Sequence, residues 1–178
     1  MSIVVDLGCA RFAHVGGGLD SVALLIERFH PRLLYGFDPL IVAEEATGEG
    51  TTVRTSASAA WIWDGEIDYV EDGVASCVAP DRQGLLPGHM SLKPQPPKTI
   101  ACFDLAAFLV DLVEPAIVKM DVEGSEYWLL TWLLATGAIS RVDRLLVEWH
   151  AQTRDREVWR LALERLVGRF CAVEEWAY

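Results

Sequence analysis

The sequence predicts a single α/β domain over residues 1–178, built on a doubly wound, mostly parallel sheet with an inserted β-hairpin. Three observations predict it. Short, continuously apolar runs, such as Ile3-Val4-Val5 and Ala116-Ile117-Val118, suit strands covered on both faces. Segments with apolar residues at helical spacing separate them, in the order β-α-β-α-β, a hairpin, then α-β-α-β-α-β. Charged residues or glycine close the runs, at Asp6 and Gly8, at Asp38, at Asp121 and Glu123, and at Glu148 and His150. Ligands gather at that edge of a parallel sheet.

Each element has its own signal. Residues 3–8 read as a strand entering a glycine turn, followed by the loop Gly16-Gly17-Gly18. Asp20 or Ser21 can cap a helix that runs to about Phe29, where Pro31 stops it. Residues 33–37 are a second strand, ending at Asp38-Pro39. A short helix is expected over residues 41–46, and a third strand over 51–60. Asp64-Gly65, between alternating runs, signals a hairpin in which Trp63 faces Glu66 and Ile62 faces Ile67. Residues 80–97 are rich in proline and read as a lid or a linker. An amphipathic helix follows over 103–112, with Asp104 near its start. Then come a fourth strand over 116–120, an apolar helix over 126–135 and a fifth strand over 144–150. A helix over 155–170 and a strand over 171–176 complete the pattern.

Composition narrows the partners. Lys plus Arg is 15 and Asp plus Glu is 26, a net charge of -11. Such a field repels phosphate backbones, and no basic run offsets it, so no nucleic acid is expected. The four cysteines show no C-x-x-C spacing, against a zinc knuckle or redox pair. The longest apolar stretch, residues 127–139, is shorter than the roughly 20 residues a bilayer helix needs. With no signal segment ahead of the first strand, a cytoplasmic location is expected. Seven tryptophans are many for this length, so some should line a site or an interface, and a homo-oligomer is compatible with that.

The chemistry-bearing residues sit at the strand ends. There is no G-x-G-x-x-G and no P-loop, which disfavours a nicotinamide oxidoreductase and a P-loop enzyme. An acid at Asp38 can accept two ribose hydroxyls of a nucleoside, or cap the element that follows. Residues 118–126 are the sharpest feature: Lys119, Asp121 and Glu123 interrupt the end of a buried strand just before an apolar helix. Buried without partners, they would cost several kcal/mol each, so partners must exist. A helix cap with a salt bridge from Lys119 is the structural alternative.

The segment VKMDVEGSEYWLL resembles the signature of the FkbM methyltransferase family: hydrophobic-Lys-hydrophobic-Asp-hydrophobic-Glu-Gly-x-Glu after the fourth strand. VVDLGC resembles the first S-adenosylmethionine (SAM) motif of that family, and YGFDP the second. SASAAWIWDGEIDYV resembles its Ala-rich strand and hairpin, and RLLVEWH its fifth strand. The resemblance implies a Rossmann-like SAM-dependent methyltransferase that O-methylates a hydroxyl of a sugar, glycan or small natural product. Asp6, Gly8 and Cys9 would then lie at the methionine end of the cofactor, Asp38 and Pro39 at its ribose, Ser58 and Ala59 at its adenine, and Asp121 near the methyl group. One departure stands out: Gly8-Cys9-Ala10-Arg11 replaces the family's Gly-Ala-Asn and further Gly.

Methylating an alcohol requires that its proton be taken, by a base or with help from a divalent metal. Asp121 and His150, at adjacent strand ends, are the leading bases, with Glu123 grouped beside them as catalytic. Glu148 shares the face of His150 and, with Asp121 or Glu123, could hold a hard cation, although no metal is assigned. His14, His30 and His89 are weaker candidates. Trp128 and Trp132, four apart on a helix, read as core or dimer surface. The alternative to an enzyme is a non-catalytic SAM-fold subunit of a larger assembly.

Overall fold

The computed structural model describes residues 2–9, 21–48, 50–70, 77–78, 96–150 and 153–176. The Gly16-Gly17-Gly18 loop, His14, the cap at Asp20, His89 and residues 80–95 of the proline-rich stretch lie outside them. In chain order the first elements are β1 (Ile3–Leu7), α1 (Ser21–Phe29), β2 (Leu33–Phe37), β3 (Glu45–Gly48), β4 (Thr51–Ser56), β5 (Ala59–Trp61), β6 (Gly65–Val70) and β7 (Cys77–Val78). Then follow β8 (Lys98–Asp104), α2 (Leu105–Asp111), β9 (Ala116–Met120), α3 (Glu126–Thr136), a 3₁₀ turn (Ala138–Arg141), β10 (Val142–Val147), α4 (Arg154–Val167) and β11 (Ala172–Glu175).

The main sheet has seven strands in the order β11-β10-β9-β1-β2-β4-β3. All its pairings are parallel except β3 with β4. The fold is therefore mixed α/β on a large, mostly parallel sheet, compatible with a Rossmann-like domain. Alternation along each strand fills two cores. Val4, Leu34, Ile117 and Leu146 pack with Val22 and Leu25 of α1. Val5, Leu7, Val118, Met120 and Leu145 face Leu109 of α2, Leu130 of α3 and Leu163 of α4. Each such side chain contributes about 1.5–3 kcal/mol by leaving water. Because both faces are covered, the strands carry no polar alternation, which is why they read as unbroken apolar runs. Among the described residues no helix is long and apolar enough to cross a membrane.

Three expectations are corrected. No helix forms over residues 41–46: the chain instead makes β3, the antiparallel edge of the sheet, with all four of its residues exposed. Thr55 holds the approach, donating from Oγ1 to Val42 O at 2.9 Å and accepting from Glu44 N at 3.1 Å. The segment is too short to be a stable helix by itself, and a short exposed edge strand limits further pairing of the sheet. The third strand ends at Ser56, not at residue 60, and Ala59–Trp61 joins a second sheet of order β5-β8-β6-β7.

The hairpin is the third correction. β8 lies between β5 and β6, parallel to the first and antiparallel to the second, with Ala60 opposite Phe103 and Ile67 opposite Ile100. Trp63 and Glu66, and Ile62 and Ile67, are therefore not cross-strand partners. Asp64-Gly65 still reverses the chain, with Gly65 at φ +136°, but the reversal is wide enough to admit a third strand. Asp64 Oδ1 accepts from Asp104 N at 2.9 Å and ties the turn to the end of β8. Residues 98–104 lie beside a proline-rich stretch and lead into a helix, so their strand character is decided by a partner far along the chain. Asp104 then caps α2 by accepting from Ala106 N and Ala107 N.

Candidate active site at the carboxyl edge of the sheet

β1, β9 and β10 are neighbours at the middle of the main sheet, and their carboxyl ends bring the predicted acids together. The first turn is pressed against the end of β9. Gly8 has φ +80°, and a Cβ on it would lie 1.8 Å from the carbonyl oxygen of Asp121. Only glycine fits there, on grounds of both backbone conformation and space. Gly8 N donates to Phe37 O at 2.9 Å, and Asp121 N donates to Leu7 O at 3.1 Å, so the ends of β2, β1 and β9 are laced together.

Beneath this edge lies a buried ion pair. Asp6 and Lys119 are opposite in the β1/β9 register, and both side chains are fully buried, with Nζ 3.1 Å from Oδ1. Lys119 also donates to Gly8 O at 2.9 Å and lies 3.4 Å from Asp121 Oδ2. Ser21 Oγ donates to Asp6 Oδ2 at 2.6 Å, pinning the start of α1. Burial pushes the Asp6 carboxyl up, against the pull of Lys119 and Ser21. Asp6 thus reaches the expected edge but is closed beneath it. Cys9 is also buried, with its thiol held protonated by burial and by the nearby Asp6.

Asp121, Glu123 and His150 converge above. One ligand-type atom from each lies within 4.8 Å of the others. His150 Nε2 is 3.4 Å from Glu123 Oε2, 3.9 Å from Asp121 Oδ1 and 3.9 Å from Glu148 Oε1. Glu123 sits at φ +53° and Gly124 at +104°, so the chain makes two successive left-handed steps between β9 and α3. Such strain at a non-glycine residue costs about 1–3 kcal/mol and concentrates at functional sites.

Glu126, the first residue of α3, is the site residue that sequence reasoning missed. Its side chain is fully buried, and Oε1 accepts from Val122 N and Gly124 N at 3.2 Å each. His150 Nδ1 lies 2.7 Å from the same oxygen. One buried carboxylate thus shapes the loop and orients the imidazole. Its signal was an acid at the head of an otherwise apolar helix, which also reads as ordinary dipole pairing.

The charges are unevenly matched. Burial disfavours a charged His150, but the hydrogen bond and charge of Glu126, with Glu123 and Asp121, outweigh it and hold the ring up to about 9. Burial pushes Glu123 up to about 7, against the pull of His150, with Asp121 adding to the rise. In both cases the folded state keeps a proton that the unfolded chain releases. The Glu123 contribution is complete below its ordinary 4.5 and is lost as pH rises through about 7. The His150 contribution is complete below its ordinary 6.5 and is lost through about 9. Stability is therefore expected to fall as pH rises across this range. Thermal melts of the parent and His150→Gln check it: the decline above pH 6.5 should flatten in the variant, and equal slopes would contradict the assignment.

The positions expected to hold a nucleoside lie on the far side of β1. Asp38 is nearly buried after β2, and its Oδ1 accepts from Leu40 N at 2.7 Å, so it does hold a turn. A carboxylate has about four acceptor sites, which leaves the ribose reading compatible with that turn. Pro39 is half-buried in the same turn, and Ser58 and Ala59 follow the end of β4. A cavity of about 520 Å³ opens here, lined among others by Phe37, Ser56, Ser58, Phe103 and Phe108. The Phe37 and Phe103 rings are 4.3 Å apart, and Phe37 and Phe108 5.1 Å. Aromatic walls with a few hydroxyls suit a planar base. Of the tryptophans on α3, Trp132 donates to Asp104 Oδ1 at 3.0 Å, whereas Trp128 is exposed and lies edge-on to Trp159. No family model, no curated protein and no solved structure matches the chain.

Proposed function

We propose that the chain is a SAM-dependent methyltransferase, of a doubly wound Rossmann-like type, that O-methylates a hydroxyl of a small molecule or glycan. The observation that carries this reading is the convergence of Asp121, Glu123 and His150 at the carboxyl ends of adjacent parallel strands, across β1 from Asp38 and the aromatic cavity. Two features support the cofactor reading: the cavity beside Ser58 has the size and aromatic walls that suit an adenine, and Asp38, the expected ribose acceptor, directly follows Phe37 of its lining. A carboxylate-rich edge also complements a sulfonium cation.

SAM supplies a methyl group already activated for in-line displacement. The chain positions the acceptor and takes its proton. His150 is charged at neutral pH, so it serves as a donor that holds the acceptor oxygen rather than as the resting base. Glu123, poised at about 7, takes the proton, and Asp121 keeps the pair in place. Glu126 fixes the orientation of His150. Asp6 acts at one remove, through Lys119, and Gly8 and Cys9 shape the turn. The expected setting is cytoplasmic, without nucleic acid.

Asp38→Ala tests the cofactor half. Loss of a charge-assisted contact to the ribose should weaken SAM and S-adenosylhomocysteine by about 1.5–3 kcal/mol in calorimetry. Equal affinity in the variant would leave Asp38 only its turn.

A further inference from the structure

We propose that Asp121, Glu123 and His150, with Glu148 as an outer ligand, form a binding site for one divalent cation of the Mn²⁺ type. The proposal does not depend on the cofactor reading. Three carboxylate oxygens from two different loops surround one imidazole nitrogen at 3.4, 3.9 and 3.9 Å. An Nε2–H can serve only one of them well, and all three distances exceed the roughly 2.7–2.9 Å of a charge-assisted hydrogen bond. Two ligands bound to one ion at about 2.1 Å lie about 3.0–3.4 Å apart. The Glu123–His150 distance already has that value, and the other two are about half an ångström wider. Ligand atoms of Asp121, Glu123 and His150 all lie within 4.8 Å of one another, a spread that small side-chain shifts would close around one ion.

The independent pointer is Glu126. It is fully buried, and its Oε2 has no hydrogen-bond partner. Its Oε1 holds His150 Nδ1 at 2.7 Å, which leaves Nε2 as the nitrogen beside the three carboxylates. A buried carboxylate behind an imidazole is how metal-ligating histidines are oriented and made more basic. An unpartnered buried carboxylate oxygen also calls for more positive charge than one shared proton gives. Of the cations near this edge, Lys119 is engaged below it by Asp6, Gly8 O and Asp121, and Arg156 donates to Gly124 O.

The donor set narrows the ion. Two carboxylates and one imidazole, with a third carboxylate outside them and no thiolate, suit a divalent cation that accepts both oxygen and nitrogen ligands, of which Mn²⁺ is one. The ion and the proton on His150 are alternatives, since ligation requires the neutral ring.

The test is a Mn²⁺ titration of the full chain, without cofactor, followed by the electron paramagnetic resonance signal of free Mn²⁺. One ion per chain is expected. Glu123→Gln and His150→Gln should each weaken binding roughly 100-fold or more, and Glu126→Gln about 10–100-fold. Circular dichroism checks each fold, and Glu148→Gln, at the most exposed ligand, repeats the test should His150→Gln unfold. No Mn²⁺ bound by the folded parent, or binding unchanged in Glu123→Gln, overturns the proposal. S-adenosylhomocysteine is titrated separately. A chain that binds it but no ion loses this proposal alone, and one that binds the ion but not S-adenosylhomocysteine loses the methyltransferase reading alone.

Discussion

Glu123→Gln is expected to lower kcat by about 10²–10⁴-fold, the range for a general base, while leaving affinity for S-adenosylhomocysteine nearly unchanged. The substitution keeps the size of the side chain and removes only its capacity to take a proton. Asp121→Asn and His150→Ala should act in the same direction, because the three side chains share one cluster and none occupies the nucleoside positions. The pH profile of the parent adds a signature. Activity should rise as Glu123 ionises near 7 and fall as His150 loses its proton near 9. The two groups are 3.4 Å apart, so these values belong to the pair. Single-turnover methyl transfer, measured beside equilibrium binding, separates the outcomes. Unchanged turnover in all three variants removes the mechanism, and affinity falling in step with turnover would make them binding residues.

Lys119→Met should give the largest loss of stability, about 3–5 kcal/mol. Lys119 and Asp6 are both fully buried at the middle of the sheet, and removing the cation strands a carboxylate that water cannot reach. Breaking such a pair costs far more than replacing both members. Asp6→Asn in the Lys119→Met background should therefore recover part of the loss, because the amide no longer needs a counter-charge. Urea denaturation of the two single variants and the double variant measures this. A Lys119→Met protein as stable as the parent would mean that Asp6 is already protonated and that the pair carries little charge.

Much of the central sheet was legible because local and global demands agree there. Residues 33–37 and 116–120 form strands with the predicted bounds, since a run of apolar residues closed by an acid has few other uses. The acids at those ends, Asp38 and Asp121, were legible for the same reason. The second sheet was not. β5, β6 and β8 are brought together by pairing across some forty residues, and no local signal ranks β8 between β5 and β6 above a direct hairpin. Asp64-Gly65 predicted a reversal correctly and its width wrongly. β3 was missed because a short, exposed edge strand has no buried face to leave a periodic trace. In the site, the sequence pointed to Asp121, Glu123 and His150 but not to the bond that organises them. Glu126 and His150 are 24 residues apart, and one reads as a helix start and the other as a strand end. Only their packing shows that a single buried oxygen serves the loop and the imidazole together.

The central claim is that this edge binds a SAM-type nucleoside, and calorimetry with S-adenosylhomocysteine and NAD on the intact chain tests it most directly. The account predicts that S-adenosylhomocysteine binds with one site per chain and that NAD does not bind. Binding of NAD in place of S-adenosylhomocysteine, or no binding of either, would contradict it.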